Sequence, residues 1–190
     1  MNTPNKLTLL RIVLIPVFVA LFELTVIPNN MIWALLVFVV AAITDQLDGH
    51  LARKNNQVTS FGKLADPLAD KLLTISALIC FIEHDVAYLP GWAVIIIIGR
   101  ELIVTGIRLI AMTENTVIAA SMWGKAKTVS QLVTIIAIMF DIIMKQTFGI
   151  YLFDYGNIHI ILILVIIMVA LTLISGVDYV KKNWKLLNFK

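Results

Sequence analysis

Two stretches of this chain, Leu24 to Thr44 and Tyr155 to Val177, contain no Asp, Glu, Lys or Arg. A polypeptide cannot leave so long an apolar run in water, and a helix crossing a bilayer needs about 20 such residues. Pro28-Asn29-Asn30 breaks the first stretch into a turn and the start of a helix. The second reads as one clean span. Shorter apolar runs bounded by charge fill most of the remaining chain. Together they predict six helices near 6–27, 31–53, 62–83, 89–112, 126–146 and 157–180, with boundaries uncertain by ~2–4 residues.

The scarce charges set the orientation. Lys6, Arg11, Arg53, Lys54, Lys63, Lys71, Arg108, Lys125, Lys127, Lys181, Lys182, Lys185 and Lys190 fall on one side of such a bundle. Only Lys145 falls on the other side, and Arg100 lies inside a span. Basic residues mark the cytoplasmic face, so both termini are expected there, which requires an even number of spans. The chain is 60% hydrophobic and 14% charged, against about 45–50% and 25% for a soluble domain. Soluble, disordered and collagen-like chains are thereby excluded. The expected fold is an all-α integral membrane protein, a single transmembrane domain over residues 1–190. No small-x-small cleavage site precedes Pro28, so the first helix reads as retained rather than as a signal peptide. Lys181-Lys182-Asn183-Trp184 reads as a basic stop with Trp184 at headgroup level. The lone Cys80 allows no internal disulfide.

Four carboxylates interrupt this apolar pattern within 26 positions. Asp45 and Asp48 lie three apart near the end of the second helix; Asp66 and Asp70 lie four apart at the start of the third. Both spacings put two carboxylates on one helical face, separated by roughly 4.5 and 6 Å along the axis. A short connection lets the two pairs face each other, where they repel unless cations intervene. Oxygen ligands of this kind suit Mg²⁺ or Mn²⁺. Four of them can hold two ions about 3.5–4 Å apart, a clamp used in phosphoryl transfer. Gly49 and Ala52 leave the same helix without side-chain bulk, and Gly62 does so on the next. Arg53 and Lys63 add positive charge at the rim.

The complete string is Asp45-x2-Asp48-Gly49-x2-Ala52-Arg53-x8-Gly62-x3-Asp66-x3-Asp70. At all eight positions it resembles the signature of the CDP-alcohol phosphotransferase family. The resemblance implies transfer of a phosphatidyl or similar group from a CDP-linked donor to an alcohol, with release of CMP. It also implies six transmembrane helices, a homodimer, and a site open to the cytoplasm of a bacterial cell. By the same resemblance the donor would lie against Thr44, Gly49, Ala52, Arg53, Gly62 and Lys63, and Asp70 would be the general base as well as a ligand. His50, where the family often has an aromatic, is outside the signature.

Further segments narrow the acceptor: Asn5-Lys6-Leu7-Thr8-x2-Arg11, Asp66-Pro67-Leu68-Ala69-Asp70-Lys71, Arg100-Glu101, Gly124-Lys125-x-Lys127-Thr128 and Ser175-Gly176-x-Asp178-Tyr179. These resemble the bacterial branch of the family that joins CDP-diacylglycerol to sn-glycerol 3-phosphate. Arg100 and Glu101 sit inside a span, where ionisable groups are expensive and usually functional. With Arg108, Lys125 and Lys127, Arg100 forms a candidate pocket for the acceptor's phosphate; Asn5, Thr8 and Arg11 are further candidate contacts. Serine, an inositol phosphate or phosphatidylglycerol are the rival acceptors, and nucleic acid is not an expected partner. A divalent-cation transporter is the remote alternative. Against it, all four Asp residues are expected at one membrane edge, with no second acidic site along a path across.

Overall fold

The computed structural model describes residues 3–54, 60–84, 86, 89–113, 118, 121–150, 152–155 and 158–184. The side chains of 3–5, 45–54, 60–67, 70, 112–113, 154–155 and 158 lie outside that description. Six helices follow in order: α1 (Thr3–Glu23), α2 (Asn30–Lys54), α3 (Ser60–Glu83), α4 (Gly91–Thr113), α5 (Met122–Phe148) and α6 (Ile160–Lys182). Helices dominate because a chain in hydrocarbon must satisfy its backbone amides internally. Buried hydroxyls obey the same rule: Thr172 donates to the Met168 carbonyl at 2.7 Å and Ser175 to the Thr172 carbonyl at 3.1 Å.

Several boundaries differ from expectation by three or four residues, and two of these shifts have a clear local cause. Helix α1 stops at Glu23 rather than near 27. The β-branched run Thr25-Val26-Ile27 and the following Pro28 disfavour helical backbone there. The reversal is completed by Asn29 at φ 56°, a left-handed conformation that Asn tolerates, and Asn30 ties it back by donating to the Phe22 carbonyl at 3.2 Å. At the other end, α6 begins at Ile160. Residues 158–159, expected to be helical, pair antiparallel with 154–155 as short strands β1 (Asp154–Tyr155) and β2 (Ile158–His159).

The chain divides into two compact units, Met1–His84 with Met139–Tyr151, and Asp85–Ile138 with Leu152–Lys190. In the first, α1, α2 and α3 pack around Phe18, Phe22, Phe38 and Phe81, all fully buried. Their rings meet at tilted angles, with Phe18–Phe38 and Phe22–Phe81 centroids both 5.7 Å apart, a favourable arrangement for aromatic quadrupoles. Buried Ala34 and Ala41 on α2, two turns apart, allow close approach of the neighbouring helix. Glu23 Oε2 and His84 Nε2, 2.9 Å apart, join the ends of α1 and α3.

In the second unit, α4 and α6 enclose Val104, Ile107 and Tyr179, with Ile118 and Val180 against them. Both units present large apolar side chains outward, among them Val13, Val40, Ile95 and Ile166. An apolar exterior around an apolar interior suits a lipid solvent. Among the described residues, α5 and α6 are each long and apolar enough to cross a membrane.

Phe18 has no exposed surface, whereas its neighbour Val17 is 40% exposed. Phe18→Ala is expected to destabilise the protein by about 3 kcal/mol, and Val17→Ala by under about 0.5 kcal/mol. Thermal midpoints in detergent would check this.

Candidate active site

The backbone places the acidic string as expected. Thr44, Asp45, Asp48, Gly49, Ala52 and Arg53 all lie on α2, and Gly62, Lys63, Asp66 and Asp70 on α3. The side chains of these residues other than Thr44 lie outside the described residues, as does that of Asn5. Thr44 donates its hydroxyl proton to the Ala41 carbonyl at 2.8 Å. Its oxygen is therefore left to a ligand as an acceptor only. On α1, Thr8 and Arg11 are both fully buried, three residues apart and so on one face of the helix. Among the described residues no three carboxylate, thiol or imidazole groups form a rival metal centre. The two carboxylate pairs on α2 and α3 offer an all-oxygen donor set, which fits a hard divalent cation.

The second unit holds a buried charge cluster between α4 and α5. Glu101 is 7% exposed and Lys127 2%. One carboxylate oxygen, Glu101 Oε1, accepts from Arg100 Nη1 at 3.1 Å and from Lys127 Nζ. Lys127 Nζ also donates to Gln131 Oε1, one helical turn along α5. Two glycines make room for Arg100. A Cβ at Gly124 would lie 3.6 Å from Arg100 Nη2 and 3.3 Å from Ser121 Oγ, and one at Gly176 would lie 3.1 Å from Arg100 Cγ. The contact at Gly176 is tight enough that the neighbour would have to shift. The guanidinium is thus seated by absent side chains on two other helices.

The four candidate acceptor cations separate in kind. Arg100 and Lys127 share the Glu101 carboxylate. Arg108 is half-buried on α4, donating from Nε to the Tyr179 hydroxyl at 3.2 Å, with Cζ 5.7 Å from the ring centroid. Lys125 is exposed. Gln131 is a structural partner that motif reasoning passed over, although its i,i+4 spacing to Lys127 made it accessible. Tyr179 stood in the Ser175–Tyr179 motif, but its pairing with Arg108, 71 residues away, was not legible. One expectation needs correction: the apolar interior does hold an acid outside these clusters. Asp141, within α5, is 8% exposed; as the single acidic residue of that helix it was visible in the sequence.

Comparison with known proteins bears on what this arrangement serves. The profile of the CDP-alcohol phosphatidyltransferase family matches residues 1–174. The chain belongs to that family. Its relatives include the CDP-diacylglycerol–glycerol-3-phosphate 3-phosphatidyltransferase of Bacillus subtilis, 40% identical, with 98% of this chain and 97% of the relative aligned. The proteins of the same name from Haemophilus influenzae and Escherichia coli are 35% and 40% identical. The first alignment covers 95% of this chain and 92% of the relative, the second 70% and 74%. The family match spans both carboxylate-bearing helices and the whole Arg100–Glu101–Lys127 cluster.

Removing one member of a buried ion cluster leaves uncompensated charge, which typically costs about 3–5 kcal/mol. Glu101→Gln should therefore destabilise the protein strongly, and Glu101→Gln/Lys127→Met should recover a substantial part of the loss. Thermal unfolding of the two variants and Lys127→Met alone gives the coupling directly.

Proposed function

We propose that the protein transfers the phosphatidyl group of CDP-diacylglycerol to sn-glycerol 3-phosphate, giving phosphatidylglycerophosphate and CMP in phospholipid synthesis. The observation that carries this reading is near full-length similarity to relatives named for that reaction. In this reading the chain makes six spans with both termini in the cytoplasm, as one domain of a homodimer in a bacterial cell membrane. The reaction site faces the cytoplasm. The distribution of Lys and Arg supports the orientation; the dimer rests on family membership.

Asp45, Asp48, Asp66 and Asp70 would hold Mg²⁺ or Mn²⁺, two ions, which supply charge neutralisation for the donor's pyrophosphate and the departing CMP. Gly49, Ala52 and Gly62 leave space for the nucleotide, with Thr44, Arg53 and Lys63 beside it. The acceptor's phosphate is drawn to Arg108 and Lys125, with Lys127 and Arg100 behind them and Asn5, Thr8 and Arg11 as further contacts. A buried guanidinium suits this task because its planar fork can hold a phosphate with two parallel hydrogen bonds. Asp70 takes the proton from the acceptor hydroxyl as that oxygen attacks the donor's β-phosphorus. The phosphorus–oxygen bond to CMP breaks, and CMP leaves with its electron pair.

Asp70→Asn is expected to lower CMP release by at least about 10²-fold, the low end for losing a general base, while donor binding persists in part. Turnover near that of the unmodified protein would remove Asp70 from this role. A chelator should abolish CMP release, and Mg²⁺ or Mn²⁺ should restore it.

Among glycerol 3-phosphate, glycerol, serine and inositol phosphate, the first should be the preferred acceptor. Serine offers no phosphate to the cationic residues, so activity with serine or glycerol alone would overturn the acceptor assignment.

A further inference from the structure

An apolar groove runs between α4 and α6, remote in sequence from the carboxylate helices. Its volume is about 590 Å³, and Ile96, Ile103, Val104, Leu173, Val177 and Val180 form its apolar walls. Gly99 and Gly176 open its floor, since neither projects a side chain. Around Gly99 a Cβ would meet nothing within 4 Å, so the space beside it is open. The lining extends along α6 from Thr172 to Lys181, about 14 Å at 1.5 Å per residue, and on to Trp184 just past the helix end. That length is close to one leaflet, roughly half of a ~30 Å hydrocarbon core. The groove is long enough to take much of one extended acyl chain.

The groove is electrically one-sided. Its described lining includes Lys181 and Arg100 but no acidic residue. Arg100 already shares Glu101. The acid nearest to Lys181 in sequence, Asp178, is taken by Lys182, with Nζ 2.8 Å from Oδ1. Lys181 is exposed at the end of α6, beside Trp184, itself 60% exposed. An aromatic and a lysine at the end of an apolar helix mark headgroup level. The lining therefore offers a positive charge at the interface and a hydrocarbon slot beneath it.

We propose that this groove is a binding site for a membrane phospholipid with an anionic headgroup. One acyl chain lies between α4 and α6, and the lipid phosphate sits on Lys181 against the Trp184 ring. Charge complementarity selects an anionic lipid, because Lys181 stands at the mouth of an apolar groove whose described lining holds no acid to offset it. The inference depends on the chain being seated in a bilayer and not on the reaction proposed above.

Quenching of Trp184 tests it. The full chain carrying Trp33→Phe, Trp92→Phe and Trp123→Phe is placed in phosphatidylcholine vesicles with chain-brominated phosphatidylglycerol or chain-brominated phosphatidylcholine as tracer. The anionic tracer is expected to quench at a several-fold lower mole fraction. Lys181→Glu should erase that difference, and Gly99→Leu, which fills the slot, should reduce both tracers to the same weak quenching. Equal quenching by the two tracers in the chain with Lys181 and Gly99 intact would overturn the proposal. Selective quenching that survives Gly99→Leu would do so too, placing the lipid elsewhere. Quenching that emerges only on dilution of protein into lipid would assign the groove to a second copy. Displacement of the tracer by CDP-diacylglycerol well beyond that by an equal amount of unlabelled phosphatidylglycerol would assign it to the donor.

Discussion

A buried charge is tolerable only when the protein itself answers it, and much of the second unit is arranged around that requirement. Glu101 supplies one oxygen to Arg100 and Lys127 together. Its partners come from its own helix and from α5, so the cluster ties two helices together, and loss of any one member leaves a buried charge uncompensated. Gly124 and Gly176 belong to the same device, since a side chain at either would crowd the Arg100 guanidinium or its stem. The glycines, the buried carboxylate and the lysine form one interdependent set.

The first unit answers the same solvent differently. Its described interior is aromatic, with four phenylalanine rings meeting at tilted angles and alanines that bring α2 close. Lipid supplies little hydrophobic force to hold helices together, so packing of this quality has to do so. Its reversal between α1 and α2 is anchored by Asn29 and Asn30 rather than by glycine. One unit is held by contact and the other adds charge, which matches the basic residues that the sequence places within α4 and α5.

Much of this was legible beforehand. The helix count follows from the apolar runs and their Pro, Gly and Asn breaks. Both carboxylate pairs fall on the helices that their spacing implied, because three- and four-residue intervals have meaning only on a helix. Boundaries slipped where local backbone preference opposed the apolar pattern. Ile27 ends an apolar run but stands before a proline; Ile158 and His159 continue one but enter a short antiparallel pair. Asp141 was visible as a carboxylate in an apolar helix, yet it stood outside every motif.

The sequence by itself determined the apolar character, the helices and the placement of the acidic string on α2 and α3, because each depends on residues near one another along the chain. Tertiary structure alone decided the pairings. That Arg108 leans on Tyr179, that Gly176 makes room for the Arg100 stem, and that α4 and α6 leave a slot beside Lys181 all join residues more than 70 positions apart. Periodicity says which face of a helix is apolar. It does not say which other helix will cover that face, since in lipid many apolar faces are interchangeable and only the detailed fit of side chains distinguishes them.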